Sequence, residues 1–169
     1  MHSLKWIKGL TWLFIIGLFI SGATALPLQT ELDAMGKFFS GNHSGFAFWI
    51  LRVRDSLDDT YAKYPFLAYG TDWLAFGHFA IALAFIGALR DPIRNRWLFT
   101  FGLIACGLVI PYALVFGAIR GIPVWWRLID CSFGVFGAIP LWLCSKWVGE
   151  LENCVSEKIP ARATTIQRD

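Results

Sequence analysis

Residues 97–119 read WLFTFGLIACGLVIPYALVFGAI, an uninterrupted run without a charged side chain. A helix rises ~1.5 Å per residue, so ~20 residues, within a range of ~17–25, cross the hydrocarbon core of a bilayer. This stretch meets that length and is apolar all round, whereas a helix on a soluble core keeps a polar face. Three more runs share its character: Leu10–Leu26, Thr71–Leu89 and Pro123–Ser145, the first two at the short end of the range. The expected fold is therefore an all-α integral membrane protein, an antiparallel bundle of four transmembrane helices. The membrane domain covers residues 1–148, with an outer loop over 27–70, and a polar tail occupies 149–169.

Composition agrees. The 169 residues are 56% hydrophobic and include nine tryptophans. Trp73, Trp125 and Trp126 fall at one set of span ends, and Trp6, Trp97, Trp142 and Trp147 at the other. Indoles favour the headgroup level because one edge is apolar and the N–H wants a polar partner. The Lys/Arg bias sets the orientation. With the N-terminus inside, the inner segments hold Lys5, Lys8, Arg90, Arg94, Arg96, Lys146, Lys158, Arg162 and Arg168. The outer ones hold Lys37, Arg52, Arg54, Lys63, Arg120 and Arg127. That imbalance places both termini in the cytoplasm, with a bacterial inner membrane as the expected setting. The net charge of +3 follows from topology and calls for no nucleic acid.

The first span has a second reading. Lys5 and Lys8 precede a short apolar core, and Ala23-Thr24-Ala25 has the form of a signal-peptidase site. Pro27 just beyond the cut and the small-residue stripe Gly17, Ser21 and Ala25 favour a retained helix. Cys106, Cys131, Cys144 and Cys154 form no C-x-x-C, which disfavours a disulfide framework, a thiol redox pair and a zinc site of known spacing.

In the outer segment, Thr30 is placed to cap a helix over Glu31–Phe39, followed by a turn at Gly41–Gly45. Phe46, Ile50, Val53, Leu57 and Tyr61 then recur at helical spacing, as expected of an amphipathic helix in the interface. Asn42-His43-Ser44 fits a glycosylation sequon, meaningful only in a secretory eukaryotic setting. Arg90-Asp91-Pro92 and Arg120-Gly121-Ile122-Pro123 are turns, so the helices they join lie side by side. The tail from Ser156 onward is expected to fray.

Ionisable groups inside spans are costly and mark candidate sites. On the fourth span Arg127, Asp130, Gly134, Gly137, Ala138, Leu141 and Ser145 share a face. Asp130 sits about 9 Å below the outer end, one turn from Arg127. The third span offers Gly102, Cys106, Ala113, Gly117 and Arg120, and Pro111 frees the carbonyl of Gly107. By depth Asp72, His78, Tyr112, Arg120, Arg127 and Asp130 gather in the outer half as ligand-binding candidates. The expected seam of the second span, through Gly77, Ala80, Ala84, Gly87 and Ala88, leaves His78 well off its centre.

Arg127 and Asp130 are expected to form a structural clasp, with ligand binding as the alternative. His78 is expected to be a hydrogen-bonded structural histidine. A two-histidine haem would need a second intramembrane histidine, and His2 and His43 lie outside the spans. No nucleotide loop, nucleophile elbow or H-E-x-x-H is present. The expected function is an accessory or assembly subunit, or a scaffold, in a membrane complex, bound to a membrane-protein partner or to itself. A membrane enzyme or binder for a quinone, isoprenoid or lipid is the alternative, and an oligomeric transporter or channel the third reading. No cofactor is expected, haem or quinone being the remaining candidates.

Overall fold

A computed structural model describes residues 4–39, 41 and 44–166, with side chains as far as Cys154. Every element among them is helical. The order is α1 (Leu4–Ala25), α2 (Leu28–Phe38), α3 (Gly45–Lys63), a 3-10 turn at Pro65–Ala68, α4 (Tyr69–Arg90), α5 (Arg96–Ile119) and α6 (Val124–Ile166). Four of these, α1, α4, α5 and α6, are long and apolar enough to cross a membrane. The chain forms two compact units, Met1–Ile15 with Leu83–Asp169, and Ile16–Ala82.

In the first unit the core is built from the first half of α1, the end of α4, and α5 with α6. Phe85 and Phe99 are fully buried, as are Ile7, Leu141 and Val148. The Phe85 ring stands 4.8 Å from Phe14 and 6.3 Å from Phe99, both in tilted or edge-on geometry. Gly102 makes room for it: an added Cβ would lie 3.1 Å from Phe85 Cζ and 2.7 Å from Leu141 Cδ1. Gly134 brings α6 onto the backbone of α5, where a Cβ would lie 2.5 Å from the Cys106 carbonyl oxygen. This is the close approach that small residues permit between apolar helices.

Thr11 is fully buried and satisfied, its hydroxyl donating to the Ile7 carbonyl at 2.8 Å. The Cys144 thiol reaches the same carbonyl at 3.6 Å and ties α6 to α1. A cut after Ala25 would strip Ile7, Thr11 and Phe14 from this core. Intact-mass spectrometry of the purified protein is therefore expected to find residues 1–25 attached. A mass matching loss of that segment would contradict the packing.

The turns follow their sequence signals. Asn95 closes the α4–α5 turn, its Nδ2 donating to the Gly87 carbonyl at 3.0 Å. Gly121, at φ +69°, ends α5, and Ile122 N donates back to the Gly117 carbonyl at 2.8 Å. A left-handed glycine with that backward bond is a common helix stop. At the other end of α5, Arg96 pairs with Glu152 of α6 at 2.8 Å.

In the second unit α2 and α3 form an antiparallel hairpin: Gln29 bonds Asp58, Gly36 lies under Arg54, and Phe39 meets Phe46. Leu32, Gly36, Ala47 and Ile50 are its buried residues. The Ser44 hydroxyl caps α3 by accepting from Ala47 N at 3.2 Å. The Arg54 guanidinium is held further above its ordinary value, first by its bond to Asp55. The second half of α1 crosses the first half of α4 at Gly22, where an added Cβ would lie 3.0 Å from the Ala75 carbonyl and from His78 Cβ.

Several expectations change. Thr30 lies inside α2, which begins at Leu28 after Pro27 without a side-chain cap. The bond from Glu31 N to the Pro27 carbonyl starts the helix three residues early. The backbone of α6 stays helical to Ile166 where fraying was expected from Ser156. The seam of α4 is shifted from the expected one: Ala88 is buried as expected, but Ala80 and Ala84 are exposed, and Ala75, Ala82 and Phe85 are buried in their place. Space for Phe85 comes from Gly102 on the facing helix, so one large ring fits among the small residues. Asn42 and His43, with the middle of the expected turn and the sequon, lie outside the described residues, as does His2.

Candidate functional site

Charged side chains on apolar helices need a partner, so each candidate is judged by what it touches. Arg127 projects from the first turn of α6 across Gly117 of α5. Its Cδ and Cγ occupy the place of a Gly117 side chain, 2.5 and 2.6 Å from where a Cβ would stand. Its Nη1 donates a long bond, 3.4 Å, to the Leu114 carbonyl. Its Nε is buried with no hydrogen-bond partner.

The expected clasp is absent. Among the described residues the ion pairs are Arg54–Asp55, Lys63–Asp59 and Arg96–Glu152, and Arg127–Asp130 is not one of them. The opening at Gly117 draws the arginine stem towards α5. Asp130, half-buried, stands on the side of α6 that continues through Gly137 and Leu141. If the two groups do not interact, their substitutions should add. Thermal melts of Arg127→Leu, Asp130→Leu and the double variant are expected to give a coupling energy within ~0.5 kcal/mol of zero. A coupling of 1 kcal/mol or more, roughly the size expected of contacting residues, would restore the clasp.

Tyr112 and Arg120 do not join this group. Tyr112 is 66% exposed, with its ring 4.4 Å from Phe116. Arg120 caps the end of α5 and is exposed. In the second unit, His78 and Asp72 lie on different faces of α4. His78 is on the packed face opposite Gly22, and its Nδ1 lies 2.8 Å from the Leu74 carbonyl. A carbonyl only accepts, so Nδ1 carries the proton and Nε2 keeps the lone pair in the neutral ring. The hydrogen bond is within its own helix, one turn back. Asp72 is exposed beside Tyr69, Trp73 and Phe76.

An apolar concavity lies elsewhere in the first unit. An apolar groove of about 550 Å³ runs between α5 and α6, with Cys106, Gly107 and Ile110 on one wall and Gly134, Ala138 and Trp142 on the other. Gly107 faces open space, with nothing within 4 Å of an added Cβ. Pro111 is inside α5, so the Gly107 carbonyl has lost its usual helical donor. The sequence pointed to that carbonyl through Pro111 but not to the groove around it. The groove depends on which face of α6 turns to α5, which no single helix specifies.

Two of the cysteines reach backbone carbonyls, Cys144 that of Ile7. Cys131 reaches the Ile110 carbonyl at 3.9 Å, and all four thiols are free. Among the described residues no group of three or more His, Cys, Asp or Glu is placed to hold a metal ion. No family model matches the chain, and no curated protein or solved structure matches it.

Proposed function

We propose that this chain is a four-span membrane protein with both termini in the cytoplasm, acting as an accessory or assembly subunit. The groove between α5 and α6 receives a transmembrane helix of a partner protein. The observation that carries this reading is the small-residue floor of that groove, Gly107 and Ala138, beside a carbonyl without its helical donor. Lipid tails are as apolar as leucine, so helices associate in a bilayer through close packing and hydrogen bonds, both of which this floor offers. A freed carbonyl at membrane depth is satisfied by a donor from a neighbouring helix, such as a serine or threonine hydroxyl. The dispersal of the candidate polar groups also favours assembly over catalysis.

The test is purification in mild detergent of wild type and of Ala138→Phe, which fills the groove. Wild type is expected to bring down one membrane protein in fixed stoichiometry. The variant should fold with an unchanged melting temperature and emerge alone. Wild type recovered as a single chain, with no cross-linked partner, would overturn the reading.

The unpartnered Nε of Arg127 favours a second reading, an anionic amphiphile held at the outer end of α6. Native mass spectrometry retaining a lipid-like molecule that disappears in Arg127→Ala would support it. An unchanged lipid complement would oppose it.

A further inference from the structure

The outer face of α4 begins with a stripe that the assembly reading leaves unused. Tyr69, Asp72, Trp73 and Phe76 follow helical spacing on one side and line a hollow of about 230 Å³. Tyr69 and Trp73 meet at 88° with ring centroids 5.9 Å apart, and Trp73 and Phe76 at 82° and 5.4 Å. Perpendicular neighbours form successive walls of an open box, where a stack would bury each face against the next. The fourth lining residue is a carboxylate, and no hydrogen bond or ion pair within the described residues engages Asp72. The three aromatics remain exposed, at 61%, 55% and 58% in chain order.

Ring faces carry negative potential, so aromatic walls attract cations, and organic ammonium groups most usefully, because their methyl or methylene groups also pack on the rings. A carboxylate in the same box selects further for positive charge and rejects an anion. The hollow is too small for a helix ~10–12 Å across. Its place is the first two turns of a helix long enough to cross a membrane, the level at which tyrosine and tryptophan meet headgroups. The ligand most abundant at that level with a small ammonium end is a zwitterionic phospholipid.

We infer that Tyr69, Asp72, Trp73 and Phe76 form a headgroup site for the ammonium of an ethanolamine or choline phospholipid. The site draws on α4 alone and is independent of the groove and its partner helix. It gives the outer end of α4 a preferred lipid and fixes the depth of that helix in the interface.

The experiment uses the full chain in nanodiscs of equal parts phosphatidylethanolamine and phosphatidylglycerol, released for native mass spectrometry. Wild type is expected to retain phosphatidylethanolamine over phosphatidylglycerol. Asp72→Asn and Trp73→Leu should each lower that preference about 3- to 10-fold, the scale of losing one cation contact. Asp72→Glu and Trp73→Phe should keep most of it. All four residues are exposed, so melting temperatures should not move, and added tetramethylammonium chloride should erode the wild-type preference. An unchanged lipid ratio in both Asp72→Asn and Trp73→Leu would overturn the site. So would a carbodiimide cross-link from Asp72 to a lysine of another protein with lipid retention unaltered, which would assign the box to a protein contact.

Discussion

Gly134→Ala is expected to destabilise the protein by about 1–3 kcal/mol, and Gly134→Leu by more, while Gly107→Ala is expected to be neutral or slightly stabilising. The two glycines lie on neighbouring helices but meet different surroundings. At Gly134 the new methyl would lie 2.5 Å from the Cys106 carbonyl oxygen and 3.4 Å from Val109 Cβ. A backbone carbonyl cannot rotate away as a side chain can, so α5 and α6 must separate, and overpacking of this kind costs ~1–3 kcal/mol. At Gly107 nothing stands within 4 Å. Only the helix propensity changes there, and alanine is favoured over glycine by ~0.5–1 kcal/mol. Thermal unfolding in detergent, monitored by circular dichroism, ranks the two. Equal melting temperatures would mean that α5 and α6 do not touch at Cys106.

Phe85→Ala carries the second large effect. The ring is fully buried among Phe14, Phe99 and Gly102. In water-soluble cores Phe→Ala costs ~3–5 kcal/mol, part transfer and part cavity. The cavity part persists in a bilayer because helices there are held by dispersion contacts that a void removes. The control is Phe136→Ala on α6, where the side chain is 69% exposed and the change should lie within ~0.5 kcal/mol of wild type. A Phe85→Ala protein as stable as wild type would remove the aromatic cluster from the core.

That cluster also marks the limit of what the sequence conveys. The four long apolar helices were legible because length and the absence of charge are properties of each segment alone. So were the turn at Gly121 and the amphipathic α3, which begins one residue before Phe46. Packing faces were less accessible, because a face is defined jointly by two helices. On α6 the small residues Gly134 and Gly137 did mark the contact. On α4 the same rule pointed to Ala88, which is buried, but also to Ala80 and Ala84, which are exposed, and it missed the large Phe85 ring against Gly102. The polar candidates show the same division. Arg127 was recognisable as a costly group, but its preference for the space over Gly117, in place of Asp130 on its own helix, depends on a neighbour's missing side chain. Asp72 was read as one carboxylate among six candidates, although its aromatic neighbours were in view at helical spacing.

The occupant of the α5–α6 groove is the most direct point of attack. A photo-reactive amino acid at Ala138, inside the groove, is compared in native membranes with one at Phe133, which is 68% exposed on another part of α6. The assembly reading predicts one discrete protein adduct at Ala138 that is absent at Phe133 and lost when Gly107→Phe fills the opposite wall. Lipid adducts alone at both positions, with no protein band at Ala138, would contradict it.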